Sequence, residues 1–167
     1  MVSEKTSAVA VVMGSDSDRA VMQNCIKQLH DFGIEPIVRI ISAHRTPQIA
    51  AEFADSAAAK GIKVIIAAAG MAAHLAGALA ARTTLPVIGV PLLSSNGLEG
   101  IDALLSTIQM PPGVPVATMA IGKAGAKNAA IFAVQLLALT DKNLQEKLIA
   151  FRKAQKDNVI KKDSAPQ

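Results

Sequence analysis

Tryptophan and tyrosine are absent from this 167-residue chain and phenylalanine occurs four times, so its interior cannot rest on stacked rings. Apolar residues still make up 51% of it, and a core of Ala, Val, Ile and Leu fills space only where elements pack closely. Cys25 is the single cysteine, which excludes an intrachain disulfide, and no Cys/His group has metal-ligand spacing. No uninterrupted apolar run reaches the ~18 residues of a membrane span, and Met1 to Ser7 holds no apolar export segment. A cytoplasmic protein without metal, organic cofactor or membrane partner is expected.

A chain of this length fits one domain, burying roughly 70% of its unfolded surface, and leaves no room for a second catalytic domain. The formal charge is +4. Residues 141 to 167 hold seven Lys or Arg against four Asp or Glu, which leaves the remainder at +1. The excess is therefore a property of the tail, and with few aromatics to stack on bases no nucleic-acid partner is expected.

Short apolar runs alternate with helical stretches, the rhythm of repeated βα units around a parallel sheet. Strands are expected at Ala8 to Met13, Pro36 to Ile41, Lys63 to Ala68, Pro86 to Val90 and Val116 to Ala120. Their continuous apolar character suits strands covered on both faces. Helices are expected at Ser17 to Phe32, Pro47 to Lys60, Ala72 to Arg82, Gly97 to Ile108 and Gly125 to Leu139, with Gly33 and Gly61 as left-handed caps. The implied architecture is a three-layer α/β/α sandwich with a parallel five-stranded sheet in the flavodoxin-like order 2-1-3-4-5.

Residues 8–140 would form that sandwich, with 1–7 and 161–167 as flexible ends. The stretch Ala129 to Leu139 is apolar almost all round, so it is expected to pack against other subunits. The segment 141–160 reads as an appended charged amphipathic helix with Leu144, Leu148 and Phe151 on one stripe. It is expected to dock on a neighbouring subunit, although folding over its own domain suits the pattern about equally.

Ligands of open α/β sheets sit outside the carboxyl ends of the strands, near the point where strand order reverses, so the first three loops decide the chemistry. Gly14-Ser15-Asp16-Ser17-Asp18 joins a strand to a helix, where free N–H groups and the helix dipole favour an anion. Asp18 would repel phosphate and is assigned to ribose hydroxyls. Simple helix capping by Ser17 or Asp18 explains the spacing equally well.

In Ser42-Ala43-His44-Arg45-Thr46-Pro47, Thr46 and Pro47 form an N-cap and N1 pair that leaves His44 and Arg45 just outside the helix. Arg45 offers a planar fork of donors for phosphate, and an imidazole can accept a proton and return it. Gly70-Met71-Ala72-Ala73-His74-Leu75 is mostly small, leaving room for a flat ring, with His74 in a supporting role. Together the loops point to a phosphorylated planar substrate.

These loops, with Gln109-Met110-Pro111, Ala120-Ile121-Gly122 and the Arg152-Lys153-Ala154-Gln155 stretch, resemble the class I N5-carboxyaminoimidazole ribonucleotide mutases from about Ala8 to Val159. The resemblance implies a homo-octamer with pockets at subunit junctions and C-terminal helices reaching onto neighbours. It also implies conversion of N5-carboxyaminoimidazole ribonucleotide to 4-carboxyaminoimidazole ribonucleotide in purine biosynthesis, by decarboxylation and recarboxylation through trapped CO2. His44 would be the general acid and base. Gly14, Ser15, Asp16, Ser17, Asp18 and Arg45 would hold the ribonucleotide, while Ser42, Ala43, Gly70, Met71, Ala72, His74 and Leu75 line the base and carboxylate. A transient contact with the carbamate-forming synthetase is compatible with that chemistry.

The chain departs from the family's pattern where glycine is usual at Met71 and Ala68, proline at Ala76 and methionine at Ala78. The segment Leu92 to Gly100 is also longer by a residue. Alternatives are a class II carboxylase using free CO2, a non-catalytic nucleotide-binding module on the same sandwich, and a phosphosugar isomerase. Ala73-His74-Leu75 favours class I.

Overall fold

A computed structural model describes residues 7–95 and 97–164. Five parallel strands, β1 (Val9–Met13), β2 (Ile37–Ile40), β3 (Val64–Gly70), β4 (Val87–Leu92) and β5 (Ala117–Thr118), lie in the order β2-β1-β3-β4-β5. This is the flavodoxin-like order expected from the βα rhythm. Register pairs Val11 with Val38 and Ile66, and Gly70 with Leu92, so the ends of β1, β3 and β4 share one sheet edge.

The helices are α1 (Arg19–Asp31), α2 (Pro47–Ala57), α3 (Leu75–Ala80), α4 (Ile101–Ile108), α5 (Gly122–Ala138) and α6 (Lys142–Asp163). Successive strand side chains point to opposite faces. Val9, Val11, Met13, Ile66, Val90 and Leu92 therefore join α1 and α5 in one core, and Ala10, Val12, Ile65, Ala67 and Val87 join α2 and α3 in the other. Cys25 lies in the first core, where burial pushes its thiol up to about 12.

Boundaries differ from expectation where the backbone turns left-handed. Met71 has φ 54, and α3 begins at Leu75 rather than Ala72, which makes His74 its N-cap. Glu99 and Gly100 have φ 53 and 85, so α4 starts at Ile101 rather than Gly97. Helix α5 begins earlier than expected, at Gly122, and β5 is only two residues long. Gly33 (φ 81) and Gly61 (φ 82) are left-handed as expected at helix ends.

The all-round apolar stretch finds its cover inside the chain. Helix α5 is bounded by α1, the sheet and α6, which bury Ala129, Ala130, Ala133, Val134 and Leu137 and half-bury Ile131, Phe132 and Leu136. Leu139, at the end of the stretch, is exposed.

The proximal half of α6 folds over its own domain. The Asp141 carboxylate accepts from the Leu144 N–H at 3.1 Å, Leu144 is buried, and Leu148 and Phe151 pack on the first core. Phe151 meets Phe32 edge-on at 5.4 Å, and the Lys147 ammonium donates to the Phe32 carbonyl at 2.9 Å. From Arg152 to Ser164 every residue is exposed. The helix runs to Asp163, so 161–163 are helical where a flexible tail was expected, and Ser7 bonds to Val9. Residues 1–6 and 165–167, also expected as flexible ends, lie outside the described residues.

Candidate functional site

A cavity of about 600 Å³ opens at the carboxyl ends of the strands, lined by the loops after β1, β2, β3 and β4. The first loop hangs from β3 through the Gly14 N–H, which donates to the Ala68 carbonyl at 3.0 Å. Ser15 caps the turn Asp16–Asp18: its hydroxyl accepts from the Ser17 N–H, while its own N–H donates to Asp18 Oδ2 at 3.0 Å. This reciprocal box satisfies two donors that the turn would otherwise leave orphaned. Ser15 is thus the cap of the turn, while Asp18 stands at the N-cap position of α1 without a side-chain bond to that helix.

Burial lifts the Asp18 carboxyl above its ordinary value, partly offset by the Ser15 N–H bond. Gly14, Ser15, Ser17 and Asp18 line the cavity. Asp16 does not; its carboxylate turns back to accept from the Ser15 hydroxyl and the Ser17 N–H, each at 3.1 Å.

The second loop is braced from within. The Thr46 hydroxyl donates to the Ser42 carbonyl at 2.8 Å and accepts from the Ser42 N–H at 3.1 Å, so it closes the loop instead of bonding to a helix N–H. Pro47 begins α2 as expected. The Ser42 hydroxyl accepts from the Arg45 N–H at 3.1 Å, and Arg45 Nη2 donates to the Gly14 carbonyl at 3.3 Å. The guanidinium therefore bridges the second loop to the serine turn, where both can face one phosphate.

His44 Nε2 lies 2.9 Å from His74 Nδ1, with the rings nearly perpendicular at 85°. One of those nitrogens must carry the proton and the other accept it, so the tautomers are linked. His74 does more here than its sequence position suggested, because it touches the exposed imidazole expected to carry the chemistry.

On the third loop Gly70, Met71, Ala72, His74 and Leu75 all line the cavity. A Cβ added to Gly70 would lie 3.3 Å from the Leu92 carbonyl oxygen, so a larger residue would crowd the neighbouring strand end. Met71, where glycine is usual in the resembling family, holds a left-handed φ of 54 that costs an L residue ~1 kcal/mol.

Ala69, Leu93, Ser94 and Ser95 also line the cavity and were not among the expected site residues. The signal was available: the order 2-1-3-4 sets the end of β4 beside that of β3, so the fourth loop reaches the same space. Among the described residues, no three His, Cys, Asp or Glu converge to hold a metal ion. The assembled groups are an anion-binding turn with a cation beside it, a linked imidazole pair able to move a proton, and a small-residue wall.

The family description AIR carboxylase matches residues 8–158. The N5-carboxyaminoimidazole ribonucleotide mutase of Escherichia coli (strain K12) is 52% identical over 152 residues, covering 91% of this chain and 89% of that protein. The mutase of the same name from Pyrococcus abyssi is 51% identical over 148 residues, covering 89% of this chain and 83% of its own. The crystal structure of Treponema denticola PurE superposes with a TM-score of 0.84 at 29% identity, covering 93% of this chain and 96% of that one. With a family match over nearly its whole length and relatives half identical to it, the chain belongs to the AIR carboxylase family.

Proposed function

We propose that this protein is an N5-carboxyaminoimidazole ribonucleotide mutase of purine biosynthesis, converting its substrate to 4-carboxyaminoimidazole ribonucleotide. The observation that carries the reading is the His44–His74 pair set beside Arg45 and the Ser15 turn in one cavity, in a chain half identical to mutases. Arg45, Ser15 and Ser17 hold the phosphate, and Asp18 takes ribose hydroxyls. Ser42, Ala43, Gly70, Ala72, His74 and Leu75 face the base and the migrating carboxylate.

In the first step the bond between the exocyclic nitrogen and the carboxyl carbon breaks, CO2 is released into the cavity, and His44 gives its proton to that nitrogen. In the second, the ring carbon attacks CO2 and His44 recovers a proton from that carbon. One imidazole serves both steps because the proton it gives is returned. Keeping CO2 beside the ring removes a bimolecular encounter, worth ~7 kcal/mol or more in a well-oriented site. No electrons change hands and no ATP is consumed.

Offering the purified protein the carbamate and aminoimidazole ribonucleotide separately tests the reading. Conversion of the carbamate without added bicarbonate is expected. Action on aminoimidazole ribonucleotide only when CO2 is abundant would instead make it a carboxylase using free CO2.

The same reading makes the enzyme a cytoplasmic homo-octamer that meets the carbamate-forming synthetase transiently. Two surfaces support assembly: Ile101, Leu105 and Ile108 form an exposed apolar stripe along α4, and α6 beyond Phe151 is unburied within the chain. Light scattering should give eight times the chain mass, and a stable, active monomer would refute that assembly.

A further inference from the structure

Strands β2 and β3 pair with opposite sides of β1, so the loops that leave them meet above its end, and each carries one histidine there. Both loops are braced by backbone bonds: the Thr46 N–H donates to the Ser42 carbonyl at 2.8 Å, and the His74 N–H to the Ala72 carbonyl at 2.8 Å. His44 Nε2 meets His74 Nδ1 at 2.9 Å, with the ring centroids 5.0 Å apart. Among the described residues, Nδ1 of His44 and Nε2 of His74 meet no hydrogen-bond partner.

One proton lies between the two facing nitrogens, and imidazole chemistry decides which of them carries it. If His44 Nε2 donates, each neutral ring has its proton on Nε2, the tautomer that imidazole side chains favour in water. If His74 Nδ1 donates, both rings are forced into the other tautomer. The first arrangement also survives protonation of His44. An imidazolium donates from both nitrogens, so it needs an acceptor opposite Nε2, and a bare His74 Nδ1 supplies one. In the reverse arrangement two donors would face each other whenever His44 took up a proton.

We propose that His74 is a positioning residue: its Nδ1 accepts the His44 Nε2–H, fixes that ring's tautomer and direction, and leaves His44 Nδ1 as the nitrogen that works on the substrate. The proposal rests on the mutase reading above and names the atom that carries it. As the carboxyl leaves, the proton on His44 Nδ1 passes to the exocyclic nitrogen and its bonding pair stays on Nδ1. Once the ring carbon has bonded CO2, that lone pair takes the proton from the carbon and the imidazolium is restored. The bond from Nε2 to His74 persists through both steps, so the base needs no reorientation between giving the proton and taking it back.

The chain has three histidines, and His30 stands apart from the pair, 2.9 Å from Glu35. Nitrogen resonances of isotope-labelled protein, read through the ring C–H protons, can therefore be assigned by substitution. Above the ordinary range of imidazole titration, the wild type should show His44 protonated on Nε2 and bare on Nδ1, with His74 bare on Nδ1. Steady-state kinetics on the carbamate supply the second readout. His74→Asn sets an amide oxygen where Nδ1 stood and should keep kcat within about threefold of the wild type. His74→Leu keeps bulk without an acceptor and should lower kcat about thirtyfold, with KM within about twofold. The His74 side chain makes no cap bond to α3, so neither change removes one. Should His74→Leu fail to fold by circular dichroism, His74→Ala takes its place.

A His44 proton resident on Nδ1 would overturn the proposal, as would normal kcat in the apolar variant or an equal loss in His74→Asn. A loss confined to KM would overturn it too, making His74 a plain substrate contact. A wild type that leaves the carbamate unconverted would instead sink the functional reading, while the nitrogen resonances would still decide the tautomer.

Discussion

Replacing His44 by asparagine should leave ribonucleotide affinity close to that of the wild type and lower kcat about a thousandfold. Asparagine keeps a polar side chain of similar reach, but it can neither give a proton to the departing nitrogen nor take one from the ring carbon. The phosphate contacts assigned to Arg45 and the serine turn do not pass through His44: Arg45 is held by the Ser42 hydroxyl and the Gly14 carbonyl. The loss should therefore appear in kcat and not in KM, as expected when a group acts mainly in the transition state.

His74 sits 2.9 Å from His44 Nε2, so it is the nearest imidazole left in the variant and the natural source of any residual rate. Steady-state kinetics on the carbamate, with nucleotide affinity measured separately by calorimetry, would read both quantities. Near-normal turnover in His44→Asn would rule out the proton traffic proposed here.

Gly125→Ala should destabilise the fold by about 3 kcal/mol, although the same change within an ordinary helix stabilises it by up to ~1 kcal/mol. Gly125 is buried in the first turn of α5, and a Cβ built there would overlap the carbonyl oxygen of Ala120. A carbonyl cannot swing aside like a side-chain tip. Either the segment after β5 must move or α5 must lift from α1 and the sheet, against which much of the first core is packed. Urea denaturation followed by circular dichroism would show a lower midpoint with little change in slope. An unchanged or higher midpoint would mean that the β5 to α5 connection relaxes freely.

Both predictions show what sequence patterns make legible. His44 stood out because Thr46 and Pro47 mark a helix start, leaving the histidine on the preceding loop, and the sheet order assigned that loop to the ligand edge. Gly125 carried no comparable signal. It resembled the start of α5, and its need for a missing Cβ came from a carbonyl packed against it from the preceding segment. Thr46 shows the same limit on a smaller scale: its place at the helix start was legible, but the turn of its hydroxyl back onto Ser42 was not.

The errors have a common source. Helices α3 and α4 were expected to start several residues early because Ala, Leu and Glu favour helix, while left-handed residues at Met71, Glu99 and Gly100 hold the chain out of it. Propensity is a weak prior that packing overrides. Apolarity around α5 is a different case, because composition records that a helix must be covered without recording what covers it. Helix α6 of the same chain supplies part of that cover.

Sequence by itself determined the sheet class, the strand order and the three loops that meet at its edge, since period and turn chemistry are local and βα repetition allows few topologies. Only the tertiary structure decided which atoms meet there. It set His44 against His74 across thirty residues of chain, brought the Arg45 guanidinium to the Gly14 carbonyl, added Leu93 and Ser94 from a fourth loop, and held Met71 left-handed. The physical reason is range: a pattern along the chain constrains neighbours a few residues apart, whereas these contacts arise from the register of strands that only the folded sheet brings side by side.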